Sequence, residues 1–225
     1  MFELTSLQHH IQRHIMSYLM THEYARFRDL IPPRVDTNLF SYHLKLLQRL
    51  GFIIKLEHGY TLGQQGLLYV DRVKADKMRV RTQPKIITML LVQDGYGNVL
   101  LQKRNKQPYI NTWTLPYGKL HIDDLSVIAA AQREAREKLG FDPHKLRHVG
   151  DCYIRVIQAD VIEQVITATL AHIVRFETDA IPANDSLQWV PPLELSTHKL
   201  APAVEQIVTR AFFGDEFFFE EFTQK

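Results

Sequence analysis

The segment REAREKLGF, residues 133–141, holds the residue types best suited to chemistry in this chain. Glu134 and Glu137 are three apart, so a helix places both carboxylates on one face. Such a pair can share a hard divalent cation, because Mg²⁺ takes oxygen ligands and needs only one or two carboxylates when substrate phosphates complete its shell. The same side chains can instead form an ion ladder, Arg133 with Glu137 and Glu134 with Lys138, each pair at i, i+4 and worth about 0.2–0.5 kcal/mol. A second face with chemical potential lies at residues 38–49, where Asn38, Ser41, Tyr42, Lys45, Gln48 and Arg49 fall opposite an apolar stripe of Phe40, Leu44 and Leu47. Amide and basic side chains of this kind reach base edges in the DNA major groove, and hydroxyls reach phosphates. A solvated surface face has the same composition. His9, His10 and His14 cluster, but at least one of them is expected to face the core, which argues against a metal site there.

The elements that must position these groups follow two patterns. Ala129, Ala130, Ala131 and Ala135 favour a helix over 126–139, capped by Ser126 and ended by a left-handed Gly140. Strands are expected at 86–93, 99–103 and 165–176, with a turn at 94–98, which makes this part mixed α/β. The first 80 or so residues read differently. An amphipathic helix covers 6–20 behind Ser6 as N-cap, and a short helix covers 24–30 until Pro32 and Pro33 stop it. A third helix runs from Thr37, its cap, to Gly51; segments 52–56 and 60–62 then form a two-stranded wing about His58-Gly59, and a last helix spans 64–77. Residues 72–85 are charged, lose apolar periodicity and finish at Pro84, so the linker is placed at 79–85.

Composition bounds the function classes. With 45% hydrophobic and 23% charged residues the chain is an ordinary folded protein, not a disordered or collagenous one. No apolar run approaches the roughly 20 residues that cross a bilayer, and no secretion signal opens the sequence, so a cytoplasmic protein is expected. The single cysteine, Cys152, excludes an internal disulfide and reads as core filler. Residues 1–85 carry 13 Lys/Arg against 7 Asp/Glu, whereas 86–225 carry 14 against 18. The basic front leans towards a polyanionic partner through counterion release. Phe217, Phe218, Phe219 and Phe222 cannot all stay wet; they pack on their own domain or in a homodimer contact.

NLFSYHLKLLQRLGFI (38–53) followed by GYTLGQQGLLYV (59–70) resembles the recognition helix and wing of winged helix-turn-helix regulators, over nearly all of residues 6–78. The resemblance implies duplex DNA as partner, contacted by Asn38, Ser41, Tyr42, Lys45 and Arg49, usually from a dimer.

VLLQKR (99–104), NTWTLPYGKL (111–120), REAREKLGF and WVPPLEL (189–195) resemble, in order and spacing, the Nudix hydrolase family over about residues 84–213. That family cleaves nucleoside diphosphates linked to another moiety, using Mg²⁺ or Mn²⁺ held by box glutamates on an α/β/α sandwich. The box matches at Gly118, Arg133, Glu134, Ala135, Glu137, Gly140 and Phe141. It departs in three places: Tyr117 replaces a Gly, the gap from Gly118 to Arg133 holds 14 residues rather than 13 and lacks its early Glu, with Asp123 or Asp124 nearest, and the second paired glutamate is Lys138. By the resemblance, Glu134 and Glu137 are the remaining catalytic metal ligands and Arg133 orients them, while Lys119, Arg104 and Lys138 hold phosphate. The general base is among Glu163, Asp160 and Asp185, and Trp113, Tyr109 and Trp189 stack on a base or belong to the core. Lys138 changes the site charge by two units, so metal affinity should fall sharply, or the ammonium replaces the cation against a phosphate.

These readings together give an α+β protein with a winged helix-turn-helix domain at 1–78, a linker at 79–85 and a Nudix-like α/β/α sandwich with a mixed sheet at 86–225. The expected function is a transcriptional regulator that binds a nucleoside-diphosphate-type metabolite, with Mg²⁺ or Mn²⁺ weakly held or absent. The alternative is an active metal-dependent pyrophosphohydrolase.

Overall fold

Ile11, Ile15, Met16 and Leu19 recur at helical spacing and are all buried, so α1 (His10–Leu19) sets one stripe into a core. The computed structural model describes residues 7, 9–74, 79–80, 83–157, 165–213 and 216–224, and the chain divides into two compact units, Met1–Thr82 and Gln83–Lys225. The cap of α1 is His9, whose ring accepts the Ile11 N–H; the expected cap Ser6 lies outside the described residues. The short helix is a single 3₁₀ turn, Phe27–Leu30, and does not start at residue 24. Ala25 is instead drawn into a bridge with Tyr60, exchanging backbone bonds of 2.9 and 2.8 Å, which forces extended backbone on the residues before the turn.

The third helix, α2 (Thr37–Arg49), is capped not by Thr37 but by Asp36, whose carboxylate accepts the N–H groups of Asn38 and Leu39 at 2.9 and 3.0 Å. Phe40, Leu44 and Leu47 are buried against α1 and its neighbours. The wing is β1 (Ile53–Leu56) paired antiparallel with β2 (Gly59–Leu62). Helix α3 (Gln64–Val70) ends seven residues earlier than expected, because the chain turns back into a small ladder, β3 (Val73–Lys74) with β4 (Arg79–Val80). Part of the expected linker is therefore strand, and the next strand, β5 (Lys85–Gln93), already takes in its last residue.

The second unit is built on one mixed sheet. Its strands are β5, β6 (Val99–Lys103), β9 (Arg147–Ile157), β10 (Val165–Glu177), β11 (Leu187–Val190) and β12 (Phe218–Gln224), in the order β11-β6-β5-β10-β9-β12. Two short strands sit off this path: β7 (Trp113–Thr114) on β6 and β8 (Tyr117–Lys119) on β5. β10 runs parallel to β5 and antiparallel to β9, and β12 runs parallel to β9. Alternation along the strands sends Leu90, Val92, Val174 and Phe176 to one face, under Ala131 and Ala135 of α4 (Val127–Leu139). The other face sends Met89, Leu91, Ala171 and Ile173 under Val204, Ile207 and Val208 of α5 (Val204–Phe213). The result is the α/β/α sandwich expected for this part of the chain. Cys152 lies fully buried in the α5-side core, where desolvation pushes its thiol up to about 12, so it fills space and stays protonated. Phe218 and Phe222 turn into that core through β12, while Phe217 and Phe219 stay exposed.

Candidate functional site

Helix α4 is held at both ends as its sequence requires. Ser126 Oγ accepts the Ala129 N–H at 3.1 Å, and Gly140 ends the helix at φ 62°, in the left-handed region. The inward stripe contains Ala130, Ala131 and Ala135, and with them Glu134, only 4% exposed. Gly118 on β8 makes room for that carboxylate: a Cβ there would land on it.

Both oxygens of Glu134 face cations. Oε1 is 2.6 Å from Arg133 Nη1, and Oε2 is 3.5 Å from Lys138 Nζ. The Lys138 ammonium also donates to the backbone carbonyl of Tyr117 and stands 4.9 Å from the Tyr117 ring centre. Arg133 is itself clamped from behind. Its guanidinium bonds both oxygens of Asp124 at 2.9 and 2.8 Å and the Lys119 carbonyl at 3.0 Å, and lies 3.6 Å from Glu137. The hydrogen bond from Arg133 holds the Asp124 carboxyl at about 2, well below the usual range, against the opposing effect of burial. Both ion-ladder pairs expected from the sequence exist, but as parts of one network.

The cleft in front of this network has a volume of about 570 Å³. It brings together Glu134, Glu137, Lys138, Lys119 and Arg104, all named from sequence, and adds Lys103 and Lys106, which were missed. The signal for those two was the KRNK run at 103–106, which starts at the last residue of β6. The described lining thus carries five lysine or arginine cations against two carboxylates, a composition that attracts anions. Arg104 is fixed by the Pro108 carbonyl at 3.1 and 2.6 Å and by the Tyr117 hydroxyl, and it stands between the rings of Tyr109 and Tyr117. There the cleft adjoins a smaller, mostly apolar pocket that shares Arg104, Thr114 and Tyr117 with it and is lined also by Tyr109, Ile154 and Thr169. Of the three aromatics considered for stacking, Tyr109 lines this pocket. Trp113 packs partly on the α5-side core, and Trp189 donates its indole N–H to the Ile181 carbonyl at 3.0 Å within the α4-side core. Asp185 is exposed and does not line the cleft, and Glu163 and Asp160 lie outside the described residues.

In the first unit, Asn38, Tyr42, Lys45 and Arg49 are exposed on one side of α2, and Ser41 and Gln48 are half-buried. Tyr42 is 60% exposed. None of His9, His10 and His14 is buried, contrary to expectation; His9 stacks on His43 with ring centres 3.8 Å apart and meets His10 at a tilt, 4.5 Å away.

Against known families, the NUDIX domain matches residues 83–211, more than half of the chain. The chain belongs to the NUDIX family. No curated protein matches it. Among solved structures, a MutT mutator protein from Bacillus halodurans is 17% identical with a TM-score of 0.51, covering 62% of this chain and 89% of that one, a likeness of fold. The NUDIX domain of Shewanella oneidensis NrtR, solved with ADP ribose, is 16% identical with a TM-score of 0.48, covering 65% of this chain and 96% of that one. NrtR with a 27mer DNA is 18% identical with a TM-score of 0.45, covering 57% and 59%.

Seen as a NUDIX box, two of the three sequence departures touch each other: the carbonyl and ring of Tyr117 receive Lys138. The family's divalent cation does not fit these residues as they stand. Glu134, the most buried of the box carboxylates, has one oxygen bonded to Arg133 and the other facing an ammonium that also occupies the nearest backbone carbonyl. Of the two matched box glutamates, Glu137 is the one with an exposed carboxylate.

Proposed function

We propose that the chain is a cytoplasmic, ligand-responsive transcriptional regulator. Its first unit binds duplex DNA through α2 and the β1–β2 wing, and its NUDIX domain binds a nucleoside-diphosphate-type metabolite with little or no hydrolysis. One observation carries this reading: Lys138 is seated against Glu134 and the Tyr117 carbonyl, at the mouth of a cleft rich in Lys and Arg. A tethered ammonium supplies one positive charge where a NUDIX enzyme places a doubly charged ion, so a diphosphate is attracted but water is not activated. Lys103, Arg104, Lys106 and Lys119 are the phosphate donors in this reading, and the adjoining pocket beside Tyr109 takes the apolar part of the ligand. A homodimer would present two copies of α2 to two half-sites.

The test is direct. Incubated with Mg²⁺ or Mn²⁺ and ADP-ribose, NADH, nucleotide sugars or dinucleoside polyphosphates, the full chain should bind a member of the panel and release little product. Rapid metal-driven turnover would instead establish the pyrophosphohydrolase, the reading that the exposed Glu137 carboxylate favours. For the DNA arm, Lys45→Ala and Arg49→Ala should weaken duplex binding and each flatten the log–log salt slope by about one. Wild-type protein that ignores duplex DNA at low salt would remove the regulator. If a metabolite shifts DNA affinity by some factor, DNA must shift metabolite affinity by the same factor.

A further inference from the structure

A second cluster of chemically able side chains lies away from the cleft, on the same side of the sheet as α4. Asp151 Oδ1 is 2.8 Å from His148 Nε2 and 2.6 Å from His172 Nδ1, and the three atoms lie within 4.8 Å of one another. Strand geometry does not favour this meeting, because residues three apart on a strand point to opposite faces. A β-bulge overrides it. In the β9–β10 ladder Ile173 pairs with Gly150 and Val174 with His148, so Val149 is the extra residue, and His148 and Asp151 come out on one face. His172 stands directly opposite Asp151 on the neighbouring strand. Along the same cross-strand row His172 neighbours Thr88, and Thr88 neighbours Gly118, so the cluster is about 10 Å, two strand spacings, from the glycine under Glu134. None of its three members lines the cleft.

We infer that His148, Asp151 and His172 form a binding site for a divalent transition-metal ion of the Zn²⁺ type. Two imidazoles and one carboxylate are a donor set for Zn²⁺, Co²⁺, Ni²⁺ or Fe²⁺, and a poor one for Mg²⁺. A carboxylate only accepts hydrogen bonds, so in the metal-free protein both ring nitrogens that face Asp151 carry protons. Binding moves those protons to the far nitrogen of each ring and puts one ion where the two hydrogen bonds were. A tetrahedral ion about 2.0–2.1 Å from each ligand needs ligand atoms roughly 3.3 Å apart, so the Asp151 oxygen must retreat from each ring by roughly half an ångström as the rings close on the ion. The side chains keep 28%, 24% and 16% of their exposure for His148, Asp151 and His172, which gives the ion a path in and leaves a coordination position for water. The ring of Phe217 meets His148 edge-on at 5.1 Å and covers one side.

Equilibrium dialysis of the full chain against Zn²⁺, with Co²⁺ as an absorbing probe, should give one tightly held ion and the visible bands of a nitrogen–oxygen site. Asp151→Asn and His172→Gln should each weaken binding by more than about tenfold. Glu134→Gln should leave it unchanged, which separates this site from the box. Histidine resonances supply a readout that needs no variant: of the eleven histidines, those of His148 and His172 should shift on adding Zn²⁺. Failure of wild-type protein to retain Zn²⁺ or Co²⁺, undiminished binding in both variants, loss of binding in Glu134→Gln, or shifts confined to His9, His10 and His14 would each overturn the assignment.

Discussion

Glu134 and Asp151 are both carboxylates on the α4 side of one sheet, and each is met by two nitrogen-bearing side chains. The partners differ in kind. Arg133 and Lys138 are permanent cations at neutral pH, so Glu134 is neutralised by the chain itself and has little to offer a dissolved ion. His148 and His172 carry protons that can move, so the donors around Asp151 can be handed to a metal. Whether a carboxylate in a protein is a ligand or a structural anchor is thus decided less by its own burial than by whether its neighbours can give up their place.

The largest expected effect breaks the first half of this contrast. Lys138→Glu exchanges repulsion for attraction beside Glu134, and at about 4 Å with an effective dielectric near 20 each unit charge is worth ~4 kcal/mol. Mg²⁺ or Mn²⁺ affinity measured by titration calorimetry should rise at least ~100-fold; an unchanged affinity would mean that the ammonium is not what keeps the ion out. Next in size is the clamp behind Arg133. Asp124→Asn should cost the NUDIX domain about 2 kcal/mol in urea unfolding at neutral pH. Because the folded-state value of Asp124 is depressed to about 2, this contribution is full above its ordinary 3.8 and disappears as pH falls through the depressed value. In Asp124→Asn, that part of the acid transition should be missing. The smallest effect is expected at the other carboxylate. In metal-free protein Asp151→Asn should cost less than about 1 kcal/mol, since its pairs are a quarter exposed. A loss as large as that of Asp124→Asn would show that the imidazoles behave as fixed cations, and the contrast would collapse.

Much of the scaffold was legible because local rules and tertiary packing agree. Ser126, the alanines and Gly140 specify α4 from end to end, and the Phe40–Leu44–Leu47 stripe specifies which side of α2 is buried. Where the reading missed, a distant partner had overruled the local pattern. Residues 24–26 read as helix, but Tyr60 pairs with Ala25. The helix expected to reach 77 stops at Val70 because the Val73–Val80 pairing competes with it. The cleft was legible in its glutamates and in Lys138, since a box with fixed spacing names them, whereas Lys103 and Lys106 belong to no spacing and join the cleft only through the fold. The His148–Asp151–His172 cluster was hidden for a firmer reason: an i, i+3 pair on a strand is excluded from one face unless a bulge intervenes, and in RHVGDCY the hint of a bulge is Gly150, beside the extra residue Val149.

The central position of β5 also constrains how the second unit can assemble. Ile87–Val92 is buried without interruption, and its parallel neighbour β10 lies far along the chain, Lys85 facing Thr169. Antiparallel hairpins zip quickly, but this seam waits for a long loop to close. During that wait a mostly greasy ribbon is uncovered, ready to stick to its like in another molecule. Crowded refolding should therefore yield clumps where dilute refolding yields native protein.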